Sequence, residues 1–167
     1  MEGEHYQMDI NEISIYLKNK PNYICVLNEV IDYIIVTKKN LCFKTTIIDD
    51  WEFTNEQEVE RLEEKYCEDK IYLIDIYNEN KRIFNFKLYR DQQYVIDIYF
   101  DNYIKNQDIV ILIQMLINVL KEYIFIAVGD DFLLNYDVDM KKMIKKSSGI
   151  EFWILPKGNE KGYHVIR

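Results

Sequence analysis

The chain has 167 residues, of which 49% are hydrophobic and 30% are charged, and its formal net charge is -8. This composition is typical of a soluble globular protein and excludes a disordered one, and the length predicts a single domain over residues 1–167. The negative charge disfavours direct binding to nucleic acid or to anionic membrane, because phosphate contacts need Lys and Arg.

The cysteine content favours a reducing compartment. Cys25, Cys42 and Cys67 are odd in number and lack CxxC spacing, which argues against a disulfide framework and against a zinc site. Their apolar neighbours predict that each is a small core residue. The opening residues are acidic and contain no apolar signal segment, so we expect a cytoplasmic protein.

The first third of the chain predicts a helix followed by strands. Asp9 has the character of an N-cap with Glu12 at the capping-box position, and apolar residues follow at helical spacing up to Pro21. The next two runs, "NYICVLN" and "EVIDYIIVTKKNLCFKTTII", are rich in β-formers, with a hairpin turn at 38–40. Thr54 then caps a second predicted helix that carries Val59, Leu62 and Tyr66 on one face.

The middle of the chain contains a repeat, "YLIDIY" at 72–77 and "YVIDIY" at 94–99, with "IFNFKLY" between its copies. We interpret 71–100 as a three-stranded antiparallel meander with three-residue loops at 79–81 and 91–93. Loops of this length place Phe84 opposite Ile76, and Phe86 opposite both Ile74 and Ile98, so that the large apolar side chains share one face. Lys87 then lies opposite Asp97 on the other face.

The apolar segment 109–128 is long enough for a membrane span, but Gln114, Asn118, Lys121 and Glu122 interrupt it. We predict a mostly buried helix to about Glu122, a strand over 123–128, and a turn at "GDD". A short helix, "MKKMIKKS", follows with Asp137 or Asp139 as its cap and Gly149 at its end. "IEFWIL" and "YHVIR" form a final hairpin.

The element order αβββαβββαβαββ predicts an α+β fold. Its sheet is mainly antiparallel, with a central three-stranded meander, and is flanked by three to four helices.

Two short motifs have the residue types of metal sites, but commoner explanations exist for both. "GDD" at 129–131 matches a metal-binding turn of some polymerases, and "DVD" at 137–139 matches the DxD of some glycosyltransferases. An ordinary turn explains the first and helix capping explains the second. Cys25 and His164 could still meet in a sheet, which the sequence leaves open. We therefore predict no catalytic residue, no metal and no other cofactor.

The polar face of the meander is the candidate binding surface, because tyrosine combines a large rigid area with a polar tip and is enriched in protein interfaces. A solvated face, or one covered by a helix, is an alternative that the sequence leaves open. The predicted partner-binding residues are Asp75, Tyr77, Asp97, Tyr99 and Asp101, with Asp49, Asp50 and Trp51 of "DDWEF".

In size, charge and the character of its "YLIDIY" and "YVIDIY" strands, the chain resembles bacterial toxin-immunity proteins. The resemblance implies a stoichiometric inhibitor that binds a basic toxin domain, often a nuclease, and occludes its active site or substrate groove. An inhibitor from a phage or mobile element that mimics nucleic acid is the alternative, and a small enzyme is the third possibility. The oligomeric state is left open.

Overall fold

The computed structural model describes residues 10–34, 41–49, 52–59, 71–90, 94–120, 122–158 and 162–167. Nine strands form one sheet in the spatial order β3-β2-β4-β5-β6-β1-β7-β8-β9, and every neighbouring pair is antiparallel. The α+β class with a mainly antiparallel sheet is therefore confirmed. The strands are β1 (Ile10–Leu17), β2 (Leu41–Asp49), β3 (Glu52–Val59), β4 (Ile71–Asn78), β5 (Lys81–Arg90), β6 (Tyr94–Ile104), β7 (Tyr123–Leu133), β8 (Ser148–Pro156) and β9 (Tyr163–Ile166).

Three helices lie among the described residues: α1 (Tyr23–Ile34), α2 (Asn106–Val119) and α3 (Met140–Lys146). α1 and α2 pack on one face of the sheet, where their apolar stripes share a core with the strands. α3 packs on the other face, where Met143 contacts Phe125, Ala127 and Trp153 of β7 and β8. No helix in the described part of the chain is long and apolar enough to cross a membrane.

The strand β1 corrects the helix that was predicted from Asp9, itself outside the described residues. Ile13, Ile15 and Leu17 alternate into the core, which is the period of two that a strand requires. Ile10, Ile13 and Leu17 also lie at helical spacing, so this segment fits the pattern of a helix as well as that of a strand. Pairing with β6 on one side and β7 on the other selects the strand, because tertiary contacts override a short local pattern.

The helix α1 corrects the strand predicted over 22–28 and the beginning of the next one. Its inward residues recur at the helical spacing i, i+3, i+4, i+7 and i+8. Asn22 caps it, since its side-chain oxygen accepts the Cys25 N–H at 3.1 Å. The hairpin turn predicted at 38–40 lies outside the described residues. The buried residues of α1 are Tyr23, Val26, Leu27, Val30 and Ile31.

Two further predictions are wrong: the helix beginning at Thr54 and the core positions of Cys25 and Cys42. Residues 52–59 form a strand paired with β2, where a helix beginning at Thr54 was predicted, and residues 60–70 lie outside the described part. Cys25 is exposed on α1 and Cys42 is only half-buried, so neither is a core residue. Cys67 lies outside the described residues.

The strands β4, β5 and β6 are neighbours within the larger sheet. Phe84 lies opposite Ile76, and Phe86 lies opposite both Ile74 and Ile98. The loop between β4 and β5 has two residues, not three, and a register shift after Ile76 supplies the extra residue. Such a bulge gives the same facing as the longer loop. The buried apolar residues described in these strands are Ile74, Ile76, Phe84, Phe86, Leu88, Val95, Ile96, Ile98 and Phe100.

The C-terminal third follows its predicted elements with one exception. α2 ends at Val119 and carries its predicted polar residues, Gln114 and Asn118, on the exposed side. Asp139 is the N-cap of α3, and β8 pairs with β9 as a hairpin. The exception is "GDD", which lies inside β7 and is not a turn between elements.

We expect Phe86→Ala to lower the free energy of unfolding by about 3 to 5 kcal/mol, because the fully buried ring leaves a cavity between the sheet and the helices. Urea denaturation measures this loss. The matched control is Val110→Ala on the outer side of α2, where Val110 is 51% exposed, and its cost should stay below about 0.5 kcal/mol. Equal losses in the two variants would contradict the assigned core.

Candidate functional site

One side of β4, β5, β6 and β1 points away from α1 and α2, and we call it the open face. The side chains on it alternate with the buried core residues along each strand. None of the three described helices has its buried residues packed against this face of β4, β5 or β6. The polar residues of the open face are Asp75, Tyr77, Asn85, Lys87, Asp97, Tyr99, Asp101, Glu12 and Ser14, most of them half-buried. The apolar Val95 lies on the same side of β6 as Asp97 and is buried.

The predicted residues Asp75, Tyr77, Asp97, Tyr99 and Asp101 all lie on this face. Asp49 is the last residue of β2, and Asp50 and Trp51 lie outside the described residues. The structure therefore brings together the five predicted residues of β4 and β6 and adds neighbours from β1 and β7.

On the β4 side of the open face, cations compensate the carboxylates. Arg82 lies between two of them, with Nη1 3.3 Å from Asp75 Oδ1 and Nε 3.0 Å from Asp101 Oδ2. Lys87 lies directly opposite Asp97 across the strands, and Lys44 lies opposite Asp75. The hydrogen bond to Asp101 raises the pKa of Arg82 above its ordinary value, and the charge of Asp75 acts in the same direction.

A second group of carboxylates lies where β1, β6 and β7 meet, and is called the acidic cluster: Glu12, Asp97, Asp130 and Asp131. Sequence reasoning missed three of its members, because it interpreted 10–17 as a helix and "GDD" as a turn. The cluster forms because Glu12 on β1 lies opposite Tyr99 on β6 and Gly129 on β7. The alternation of Glu12, Ser14 and Tyr16 between isoleucines was the signal that could have revealed it.

An irregular segment of β7 turns the cluster toward the open face. Asp131 has a φ of 42°, a conformation that Asp tolerates better than most residues. The register of β7 with β8 shifts on both sides of this segment. Gly129 permits the arrangement, because a Cβ there would lie 2.2 Å from the backbone oxygen of Gly149. The irregular strand thus requires glycine where two backbones meet.

Hydrogen bonds, most of them partly buried, hold the cluster together. The Asn11 side chain is buried and donates from Nδ2 to Tyr99 Oη at 3.1 Å, while its Oδ1 accepts the Asp131 N–H at 3.2 Å. The Tyr99 hydroxyl donates to Asp131 Oδ1, and the Ser14 hydroxyl donates to Asp97. The hydrogen bond to Asp131 raises the pKa of Tyr99 to about 12, since it favours the protonated phenol.

Glu12 is a strongly perturbed carboxyl of the site, with its pKa raised to about 7. Burial is the largest cause, the negative charges of Asp97, Asp131 and Asp130 act in the same direction, and the Phe132 N–H opposes them. That N–H donates to Glu12 Oε2 at 3.2 Å. Near neutral pH the cluster therefore exchanges a proton readily, and a cation beside it would shift this equilibrium.

The other candidate residues do not assemble into a catalytic arrangement. His164 is exposed on the edge strand β9, and Cys25 is on α1, so the two do not meet in the sheet. Asp139 caps α3 through the N–H groups of Lys141 and Lys142, while Asp137 pairs with Lys146 at 3.2 Å. Among the residues described, no group of three or more His, Cys, Asp or Glu is arranged to hold a metal ion.

Two cavities lie beside α1 and α2, on the helix-covered side of the sheet. One, of about 410 Å³, is lined by Leu17, Pro21, Cys25 and the end of α2. The other, of about 460 Å³, is lined by Tyr33, Tyr103 and their neighbours. Neither is lined by His164 or by residues of the acidic cluster, so neither cavity belongs to the open face.

Comparisons with known proteins add no relative: no protein-family model, no curated protein and no solved structure matches the chain. The function is therefore argued from the residues of the open face and the acidic cluster.

We expect Glu12→Gln to remove a pH dependence of stability. The folded-state pKa of Glu12, about 7, lies above its ordinary value of 4.5, so the folded state binds the extra proton between these pH values. The stabilisation is full below about pH 4.5 and is lost as pH rises through 7. Allowing for solvent screening, the loss should be about 1 to 2 kcal/mol.

The measurement is urea denaturation of both proteins from pH 5 to pH 8. The stability of the wild-type chain relative to Glu12→Gln should fall across this range. A constant difference between the two proteins would show that Glu12 titrates normally. Glu29→Gln on the helix-covered side is the control and should leave the pH profile unchanged.

Proposed function

We propose that this chain is an inhibitory protein-binding module of the toxin-immunity type, which binds a basic protein domain through its open face and occludes the active site or substrate groove of that domain. The observation that carries the proposal is the arrangement of Asp75, Asp97, Asp101, Tyr77 and Tyr99 on one sheet face. These side chains lie opposite the hydrophobic core, and most remain partly accessible.

The chemistry of the face fits recognition of a basic protein. The carboxylates attract Lys and Arg of a partner and raise the rate of encounter, and the tyrosines supply apolar area beside them. The acidic cluster adds to this field, since Asp97, Asp130 and Asp131 act on Glu12 through their negative charges. A guanidinium that docks beside Glu12 would lower the pKa of Glu12 and release its proton.

The compensated part of the face supports protein recognition over mimicry of nucleic acid, which was the alternative. A phosphate mimic presents a regular series of negative charges. Here Lys87, Arg82 and Lys44 lie among the carboxylates of β4, β5 and β6. An alternating pattern of this kind favours one partner geometry, because a mismatched partner brings like charges together.

The test uses the protein encoded by the neighbouring gene as the partner, prepared as a catalytically inactive variant. We expect the two proteins to form a stoichiometric complex, and co-expression of this chain to protect cells from the active partner. Absence of both complex and protection would overturn the proposal. A neighbouring gene whose product lacks a basic domain would also count against the proposal.

We expect Asp101→Lys to slow association with that partner by about tenfold at low salt, with a smaller effect at high salt, because exposed charges act mainly through screened steering. Stopped-flow association rates measure the change. The control is Asp32→Lys on the outer side of α1, which changes the net charge equally. Equal rates for the two variants would show that the open face is not the interface.

A further inference from the structure

A strip of exposed apolar residues lies between β7 and α3 and is not used by the proposed function. Leu133 is 62% exposed, Tyr136 is 41% exposed and Val138 is 92% exposed. These three residues are named the apolar strip. Single exposed apolar residues are ordinary, but three exposed apolar residues within six positions make this segment a candidate interaction surface.

The apolar strip is held in a fixed conformation. The Tyr136 ring stacks on Tyr16 of β1 with 5.5 Å between ring centroids and 4° between planes. Asn135 is tied to the end of α3, since its N–H donates to Ser147 Oγ at 3.0 Å and its Nδ2 donates to the Lys146 oxygen at 2.6 Å. A partner therefore meets a segment that loses little conformational freedom on binding.

The two sides of the strip carry opposite charge. On one side is the acidic cluster, whose Asp131 lies two residues before Leu133 in the chain. On the other side α3 exposes four lysines, and the two carboxylates nearest to it are engaged locally: Asp137 pairs with Lys146, and Asp139 caps the helix. The lysines are Lys141, Lys142, Lys145 and Lys146.

We propose that the apolar strip is the centre of a symmetric interface with a second copy of this chain. A two-fold axis running along the strip places α3 of each copy against the acidic cluster of the other. The same surface patch then serves both partners, as an isologous interface requires. The apolar strips meet at the centre, and two equivalent charge contacts form at the sides.

Charge complementarity favours a second copy over the other occupants. An anionic lipid surface would attract α3 but would be repelled by the acidic cluster beside it. A basic protein would be attracted by the acidic cluster but repelled by the lysines of α3. Only a partner with both signs in the mirrored order satisfies the whole patch, and this chain itself carries that pattern. The net charge of -8 opposes association, so the dimer should be strongest where salt screens the overall repulsion without abolishing the contacts.

The first experiment measures the oligomeric state by sedimentation velocity over low to high micromolar protein. We expect the wild-type chain to pass from monomer to dimer, and Val138→Asp to raise the dissociation constant by at least about tenfold. The control is Val110→Asp on the opposite side of the sheet, which adds the same charge at an exposed valine and should leave the dimer intact. A wild-type chain that stays monomeric overturns the proposal.

The second experiment exchanges charges. Lys141→Glu with Lys142→Glu replaces two of the four lysines of α3 with carboxylates, at exposed positions in the first turn of α3 where Glu is favourable. Asp131→Lys with Asp97→Lys replaces two of the four carboxylates of the acidic cluster with lysines. Each variant alone should be monomeric, because its altered side no longer attracts the unaltered side of a second copy. An equimolar mixture should form a heterodimer, because one contact then keeps the wild-type charges and the other pairs the introduced carboxylates with the introduced lysines. A mixture that stays monomeric although both variants are folded by circular dichroism overturns the two-fold arrangement.

If the basic variant fails to fold, the Lys141→Glu, Lys142→Glu chain still decides the matter, since a dimer of unchanged strength would show that α3 is outside the interface. These outcomes do not depend on the proposed toxin partner. The acidic cluster takes part in both proposed surfaces, so dimerisation is measured on this chain alone. Binding of a basic domain is measured separately at Asp75, which lies on β4, beyond β6 from the strip.

Discussion

The insertion of β1 between β6 and β7 is the constraint on which the rest of the structure depends. An inner strand pairs its backbone on both edges, so its side chains must suit two environments at once. Ile13 and Ile15 enter the core beneath α1 and α2, while Glu12 and Ser14 reach the open face. The acidic cluster exists because this one strand carries a carboxylate to the place where two other strands carry theirs.

The same constraint explains why the carboxylates of the acidic cluster repel one another. A carboxylate on a central strand is partly withdrawn from water, and three further carboxylates surround Glu12. The protein offsets this cost with hydrogen bonds from the Phe132 N–H to Glu12 and from Ser14 to Asp97. Uncharged donors reduce repulsion without cancelling the negative field, so the cluster keeps its attraction for cations. Arg82 and Lys87 on the neighbouring strands moderate the rest of the face.

How far the sequence predicts this molecule depends on whether a pattern has one interpretation or two. The strands around Phe84 and Phe86 alternate so regularly that the facing of their side chains followed from the pattern. Residues 10–17 satisfy both a helical and a strand period, and only the distant partners β6 and β7 decide between them. The run 23–34 is rich in β-branched residues and yet is a helix, because Val26, Val30 and their neighbours form one apolar stripe.

The candidate site divides in the same way. Asp75 and Asp97 could be placed on one face because the repeat fixes their period. Glu12 and Asp131 could not, since their proximity depends on β1 crossing to the middle of the sheet and on an irregular strand at Gly129. No local signal in "GDD" distinguishes a turn from a bulge that presents its aspartate to another strand.

The position of β1 also has a consequence for how the chain folds. Both of its neighbours, β6 and β7, lie more than seventy residues further along the chain. During synthesis β1 leaves the ribosome before β6 and β7 and must wait for these hydrogen-bonding partners. Meanwhile α1 can form from local contacts alone, and the hairpins from β4 to β6 can close over short distances. Although β1 is synthesised before both of its partners, it is thus among the last strands to reach its native place, and its arrival joins the two halves of the sheet.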